Sequence, residues 1–167
     1  MKEFILKLLD SRETRSKRQN DLITKYQKPI ISYMLNIPGI EKKNQTFERF
    51  HNFGFELIKK KLGDKILDFE YYGEDTGMYY LISVDMNPMD LKILTVDLEN
   101  KDSGRLFDID VFDENYNQIT RSKLGLNPRK CLICKKNAKD CSRNQTHSYE
   151  DLLIEVNKLI NLSYSID

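Results

Sequence analysis

The segment at residues 104–111, Gly-Arg-Leu-Phe-Asp-Ile-Asp-Val, carries two aspartates separated by one apolar residue. Because alternate side chains of a β-strand point to the same face, the pattern predicts that Asp108 and Asp110 project side by side. Phe107, Ile109 and Val111 would line the opposite, buried face. Two carboxylates held this close repel each other, which a divalent cation relieves. Carboxylate oxygens suit Mg²⁺ that bridges the phosphates of a substrate, so the pair predicts phosphate-transfer chemistry.

The neighbouring residues extend this prediction. Gly104 permits a close backbone approach, and the guanidinium of Arg105 can bind a phosphate through two hydrogen bonds. Residues 93–99 are predicted to form an antiparallel strand beside the pair. This strand ends in Asp97 and Glu99, a second pair on one face, and either residue could complete a three-carboxylate site. In the alternative reading, the acidic residues are only the solvated face of a sheet.

Every cysteine of the chain lies in a second group of metal-ligating residues within 128–147. Its spacing is C-x2-C-x6-C-x5-H, and its members are Cys131, Cys134, Cys141 and His147. Three thiols and an imidazole favour a closed, tetrahedral Zn²⁺ site with a structural role. The alternative is that the cysteines are small buried core residues, which is a common use of unpaired cysteine.

Two further segments are candidates for anion binding. The first is a run of arginines that recur at every third position and therefore share one helical face. These are Arg12, Arg15 and Arg18. The second is the turn after the predicted strand 29–36, where Asn36 and Gly39 supply backbone amides and Lys42 supplies a cation. For both segments the alternative is a solvated polar surface.

The hydrophobic pattern predicts the elements that position these residues. Helices are predicted over 4–9, then from a capping box at Asp10 and Glu13 onward, and over 47–62 before Gly63. A short helical turn is predicted near 87–91, and the last helix begins at Ser148. Strands are predicted over 29–36, 66–72, 78–84, 93–99 and 105–112, and one further strand ends near residue 119. The loop 73–77 is predicted to join the strands 66–72 and 78–84 in a hairpin. The order predicts an α+β fold with a largely antiparallel sheet and flanking helices, in one domain of residues 1–167 that includes the Cys/His segment.

Composition narrows the classes of partner. The formal net charge of +1 gives no overall attraction to nucleic acid. The chain contains no run of eighteen apolar residues, so neither a transmembrane helix nor a membrane partner is expected. Three cysteines cannot all pair within one chain, which favours a reducing, cytoplasmic location.

Taken in order, these motifs resemble the citrate lyase holo-[acyl-carrier protein] synthase family, the apo-citrate lyase phosphoribosyl-dephospho-CoA transferases. The matching segments are the arginine run 12–19, the turn 36–39 with Lys42 or Lys43, the segment 104–111, and 128–148 with Pro128 and Arg129. The Asp-hydrophobe-Asp pattern also resembles the active-site motif of polymerase-β-type nucleotidyltransferases. The chain departs from the family at 100–103, where family members often have histidines.

The resemblance implies a transferase that uses 2′-(5″-triphosphoribosyl)-3′-dephospho-CoA as donor. It attaches the phosphoribosyl-dephospho-CoA group to a serine of the citrate lyase acyl-carrier subunit and releases diphosphate. The implied catalytic residues are Asp108, Asp110, Glu99 and Arg105, with Mg²⁺ on the two aspartates, and any of the three carboxylates could be the general base. The implied substrate-binding residues are Arg12, Arg15, Arg18, Asn36, Gly39, Lys42, Gly104 and Arg129.

Three alternatives stay open at this point. The acceptor could be the carrier protein of malonate decarboxylase, which undergoes the same chemistry. The chain could instead be a zinc-stabilised protein-binding module. It could also be a non-catalytic subunit with a nucleotidyltransferase-like fold.

Overall fold

An antiparallel five-stranded sheet organises the chain, which a computed structural model describes over residues 2–164. The strands are β1 (Ile30–Leu35), β2 (Ile66–Glu74), β3 (Gly77–Val84), β4 (Phe107–Phe112) and β5 (Gln118–Ile119). The helices are α1 (Lys2–Tyr26), α2 (Gln45–Leu62), α3 (Pro88–Asn100), α4 (Ala138–Arg143) and α5 (Tyr149–Ser163). The strand order is β2-β3-β1-β4-β5. The α+β architecture predicted from the sequence is confirmed.

The two faces of the sheet have different coverings. On one face the main core joins the sheet to α2, α3 and α5 through Tyr33, Phe107, Ile109 and their neighbours. On the other face α1 packs through a smaller cluster that includes Leu22 and Ile23. Since cross-strand partners share a face, the pairing of β1 with β4 places Asp108 and Asp110 on the α1 face.

Several local predictions are confirmed. The helix predicted over 47–62 is α2, whose N-terminal amide at Phe47 donates to Asn44 Oδ1 at 2.9 Å. The predicted hairpin is β2–β3, and β4 turns back into β5. The last helix is capped by Ser148, whose side chain accepts a hydrogen bond from the Asp151 amide.

The capping box predicted at Asp10 and Glu13 is wrong, because α1 runs without interruption from Lys2 to Tyr26. A side-chain cap competes with helix propagation only where the preceding residues cannot continue the helix. The range 2–26 contains neither proline nor glycine, and Asp10 is exposed.

The strand predicted over 93–99 is also wrong, because these residues belong to α3. Asn87 Oδ1 accepts hydrogen bonds from the amides of Met89 and Asp90, and Pro88 occupies the first turn, where its missing N–H costs nothing. The buried residues then follow helical spacing: Leu91, Lys92, Thr95, Val96, Leu98 and Glu99. In the helix Asp97 is exposed while Glu99 is buried, so the two do not form a same-face pair.

His51 is a buried titratable side chain inside this core. Its ring stacks between Tyr33 and Tyr80, with centroids 4.7 and 5.2 Å away. Neither ring nitrogen has a hydrogen-bond partner within residues 2–164. Burial lowers the pKa of His51 to about 4, against an ordinary value of 6.5.

We predict that His51 makes the fold sensitive to acid. Below pH 6.5 His51 binds a proton in the unfolded chain, whereas in the folded chain it binds one only below about pH 4. Stability should therefore be complete above neutral pH and fall by about 3 kcal/mol between pH 6.5 and 4. Urea unfolding at several pH values should show this slope in the wild type and a smaller one in His51→Phe. Equal slopes in the two proteins would rule out His51 as the source.

Candidate active site

Asp108 and Asp110 project from β4 towards the same side, as the register with β1 requires. Asp108 Oδ1 accepts a hydrogen bond from Arg129 Nη1 at 3.0 Å, which is also an ion pair. Asp110 Oδ1 accepts one from Gln118 Nε2 at 2.8 Å. Burial and, second, the negative charge of Asp108 raise the pKa of Asp110. The two carboxylates therefore interact unfavourably, despite the arginine beside one of them.

The free edge of β4 between the two aspartates is held by side chains of α3. Strand β5 pairs only with Val111 and Phe112, which leaves Ile109 without a strand partner on that side. The Ile109 amide donates to Glu99 Oε1 at 2.8 Å, and Lys92 Nζ donates to the Ile109 carbonyl at 2.9 Å. Both side chains are buried, with 4% of Glu99 and 5% of Lys92 exposed. This edge contact fixes the backbone that carries Asp108 and Asp110.

Glu99 is thus engaged in support of the strand. Its second oxygen accepts a hydrogen bond from Arg121 Nη2, and this ion pair is buried. Burial lowers the pKa of Lys92, although the charges of Glu99 and Asp110 oppose the shift.

We predict that Glu99→Ala lowers the free energy of unfolding by about 3 kcal/mol, because it leaves Arg121 unpaired and Ile109 without its acceptor. Asp97→Ala is the matched control on the same helix. Asp97 pairs with Lys101 in an exposed i,i+4 contact, so its loss should cost no more than about 0.5 kcal/mol. Chemical denaturation measures both changes, and similar losses in the two variants would contradict the supporting role of Glu99.

A cleft of about 1520 Å³ opens beside the aspartates, and residues of the Cys/His segment form much of its lining. Asp108 and Asp110 lie in its lining together with Asn36 and Gly39. The lining also contains six cationic side chains, namely Lys92, Arg105, Arg121, Arg129, Lys130 and Lys139. A cleft that combines paired carboxylates with this many cations is suited to a ligand rich in phosphate.

Arg105 and Arg129 connect β4 to the Cys/His segment. Arg129 Nη2 donates to the carbonyls of Phe107 and Arg105, at 2.6 and 3.0 Å. Arg105 Nη2 donates to the carbonyls of Lys130 and Cys131, at 2.6 and 3.0 Å. Burial and the charge of Arg129 lower the pKa of Arg105. The close backbone approach at Gly104 is towards α3, since a Cβ there would lie 1.9 Å from the Leu98 carbonyl oxygen.

The arginines of α1 differ in their surroundings. Arg15 Nη1 lies 3.3 Å from the sulfur of Met34, and its guanidinium lies 5.6 Å from the centre of the Tyr79 ring on β3; none of the three arginines lines the cleft. Arg18 donates to Glu74 and Tyr79 and stacks 4.0 Å over the ring of Tyr72. Arg12 is exposed and makes no ion pair with any residue in the described range 2–164.

The turn after β1 reaches the cleft only in part. The Asn36 amide donates to the Leu106 carbonyl at 2.8 Å. Gly39 has φ +79°, and a Cβ there would lie 2.4 Å from the Tyr149 ring, so glycine permits this approach to α5. Lys42 lies outside the cleft lining and donates to the Ile37 carbonyl; burial lowers its pKa.

The four residues of the Cys/His group converge. The ligand atoms of Cys131, Cys134, Cys141 and His147 all lie within 4.8 Å of one another, which is close enough to bind a metal ion. The Cys134 and Cys141 sulfurs are 3.4 Å apart. Hydrogen bonds from the Lys136 backbone and from His147 lower the pKa of Cys134 to about 6. The Cys131 amide donates to the Lys136 carbonyl at 2.6 Å and closes the turn between the first two cysteines.

Among the cleft residues that the sequence did not predict, Lys92, Gln118 and Arg121 contact β4 or its support Glu99. Lys92 and Arg121 act through Ile109 and Glu99, and Gln118 contacts Asp110 directly. The signal for Lys92 was its place one residue after Leu91, on the buried side of a helix. That signal disappears when residues 93–99 are interpreted as a strand.

Paired carboxylates in a cleft lined by cations are the arrangement expected of a transferase with a phosphate-rich donor. Comparison with known proteins specifies it further: residues 4–163 match the family described as apo-citrate lyase phosphoribosyl-dephospho-CoA transferase. Relatives with this name are 31% identical in Citrobacter koseri and 32% identical in Escherichia coli. Each alignment spans 161 residues, or 94% of this chain and 88% of the relative. The chain belongs to this family, which confirms the resemblance seen in its motifs.

No helix within residues 2–164 has both the length and the apolar character that crossing a membrane requires.

Proposed function

We propose that this protein transfers the phosphoribosyl-dephospho-CoA group from 2′-(5″-triphosphoribosyl)-3′-dephospho-CoA to a serine of the citrate lyase acyl-carrier subunit. Membership of the family supports this reaction. The observation that carries it is the placement of Asp108 and Asp110 side by side in a cleft lined by cations. The serine oxygen attacks the α-phosphorus of the triphosphate, and the bond from that phosphorus to the diphosphate breaks. The products are a phosphodiester on the carrier and free diphosphate.

The proton released by the serine passes to one of the two aspartates. Three carboxylates were candidates for this role from the sequence. Glu99 is buried and bonded to Ile109 and Arg121, so it supports the site as a positioning residue. The role of base therefore falls to Asp108 or Asp110, the carboxylates in the cleft that face the donor.

The aspartate pair fits Mg²⁺ by its donor chemistry. Mg²⁺ is commonly bound by one or two carboxylates and completes its shell with water and substrate phosphates. Asp108 and Asp110 would supply these carboxylates; burial and, second, the charge of Asp108 raise the pKa of Asp110, and a cation relieves that repulsion. When bound, Mg²⁺ neutralises charge on the phosphates and on the departing diphosphate.

Cationic side chains of the cleft hold the donor. Arg129 contacts Asp108 and therefore lies next to the reacting phosphate, while Arg121, Lys130 and Lys139 extend positive charge along the wall. Rigid placement of both substrates against these groups supplies much of the rate enhancement, because no side chain of the enzyme forms a covalent bond with the donor.

The Cys/His group binds Zn²⁺ and shapes the cleft wall. Tetrahedral zinc with bonds of about 2.3 Å separates two sulfur ligands by about 3.8 Å, which is compatible with the clustering of these four residues. Because Arg129 and Lys130 directly precede Cys131, zinc held by this group would help to fix both cations in the cleft lining. Three cysteines that form no disulfide fit a cytoplasmic setting.

The proposal is tested by incubating the protein with donor, Mg²⁺ and the apo form of the citrate lyase carrier. We expect the carrier to gain the mass of the phosphoribosyl-dephospho-CoA group and diphosphate to appear in equal amount. The apo carrier of malonate decarboxylase, offered in parallel, tests acceptor choice. An unmodified citrate lyase carrier would contradict the proposal, and modification of only the malonate decarboxylase carrier would reassign the acceptor.

A further inference from the structure

The Cys/His segment, residues 128–147, concentrates positive charge in a protein that is nearly neutral. It contains six lysines and arginines and one acidic residue, Asp140, whereas the chain as a whole has a formal net charge of +1. The rest of the chain therefore carries more acidic than basic residues. A zinc ion and three thiolates would add only about one negative charge to the segment.

Five of these cations form a surface that we call the cationic rim. They are Lys130, Lys135, Lys136, Lys139 and Arg143, and each is exposed. No side chain of the rim forms an ion pair or a hydrogen bond with any residue in the range 2–164 that the structure describes. Lysines on other surfaces do pair with acids, as Lys59, Lys101 and Lys158 do. The charge of the rim is therefore left uncompensated within the chain, and its field extends into solvent.

The position of the rim relates it to the active site. Lys130 and Lys139 line the cleft that holds Asp108 and Asp110, whereas Lys135, Lys136 and Arg143 lie outside its lining. A donor bound in the cleft can use only the first two. The outer three can serve a larger acidic partner that covers the opening of the cleft. Ile133, 37% exposed, adds an apolar contact among them.

We propose that the cationic rim is the docking surface for the acceptor protein, which it recognises through an acidic patch beside the modified serine. The inference rests on the proposed function, because only a protein acceptor must bring its own hydroxyl into the cleft. Docking on the rim brings that hydroxyl to the cleft that Asp108 and Asp110 also line. Opposite charges would also speed the encounter and make it sensitive to salt.

The test reverses two charges of the rim in Lys135→Glu/Lys136→Glu. The matched control is Lys60→Glu/Lys61→Glu, which reverses two consecutive exposed lysines at the end of α2. We expect the rim variant to raise the KM for the carrier about tenfold and to weaken its dependence on salt. The KM for the donor, kcat at saturating carrier and the zinc content should not change, and the control should resemble the wild type.

The outcomes separate this inference from the reaction itself. If the wild type does not modify the carrier, the proposed function fails before any variant is measured. If the wild type is active and the rim variant keeps the wild-type KM for the carrier, the docking surface is refuted. A rise in the KM for the donor alone would also refute it, because the rim would then bind phosphate. An equal rise in the KM for the carrier in the control variant would also refute the docking surface, because the effect would then depend on the net charge of the protein.

Discussion

Asp108→Asn and Asp110→Asn are each expected to slow transfer to the carrier by at least about a hundredfold, equivalent to about 3 kcal/mol of transition-state stabilisation. Asparagine has nearly the same shape as aspartate, but it lacks the charge that binds Mg²⁺ and cannot act as a base. Folding should be retained, because both side chains lie at the surface of the cleft and Ile109 keeps its contacts with α3.

The measurement is the initial rate of the carrier mass shift, with thermal unfolding as the test of folding. Glu114→Gln is a suitable control, since it removes a carboxylate from the exposed turn between β4 and β5. We expect the control to keep wild-type activity. If either aspartate variant modifies the carrier at the wild-type rate, the proposed role of the two aspartates is refuted, even if the overall reaction is correct.

The two aspartates should also respond differently in stability. Asp108 is paired with Arg129, so Asp108→Asn loses an ion pair that is partly exposed. Asp110 is more buried, and its raised pKa shows that its charged form is disfavoured. A neutral asparagine at this position removes that unfavourable charge. Asp110→Asn is therefore expected to be the more stable of the two variants.

Removal of metal from the Cys/His group should have the second large effect. Structural zinc in isolated zinc fingers contributes on the order of 10 kcal/mol of binding free energy, so its loss is expected to unfold the segment 128–147. Activity should be lost with it, because Arg129 contacts both Asp108 and the carbonyl of Phe107. Limited proteolysis after treatment with a strong chelator, followed by an activity assay, measures both consequences.

Cys134→Ser tests the same site without a chelator, and Ser142→Ala provides a control beside Cys141. We expect about one zinc per chain in the wild type and in the control, purified without added zinc, and far less in Cys134→Ser. A wild-type content well below one zinc per chain would show that the cysteines serve only in packing.

Local sequence patterns predicted much of the fold. The hairpin of β2 and β3, the helix α2 before Gly63 and the cap at Ser148 depend on residues close together in the chain. Periodicity and turn chemistry are local properties, so they can be interpreted without knowledge of the fold. The alternation of polar and apolar residues around Asp108 and Asp110 is likewise a local property of the sequence.

The segment 93–99 shows where local interpretation fails. Its residues Ile-Leu-Thr-Val-Asp-Leu-Glu include β-branched types and an apparent alternation, which are compatible with a strand. The decision for a helix depends on the cap at Asn87 and on burial of Leu91, Thr95 and Leu98 against the sheet. Tertiary packing thus overrode a weak local preference.

By itself, the sequence determined which groups this protein offers for chemistry: two aspartates on one face of a strand, and three cysteines and a histidine at metal-binding spacing. Only the tertiary structure decided their partners. It placed Glu99 and Lys92 against Ile109, joined Arg129 to Asp108, and brought the Cys/His segment into the lining of the same cleft. The physical reason is that strand alternation is fixed by the backbone, whereas contacts between distant segments depend on how α3 and the Cys/His segment pack around the edge of β4.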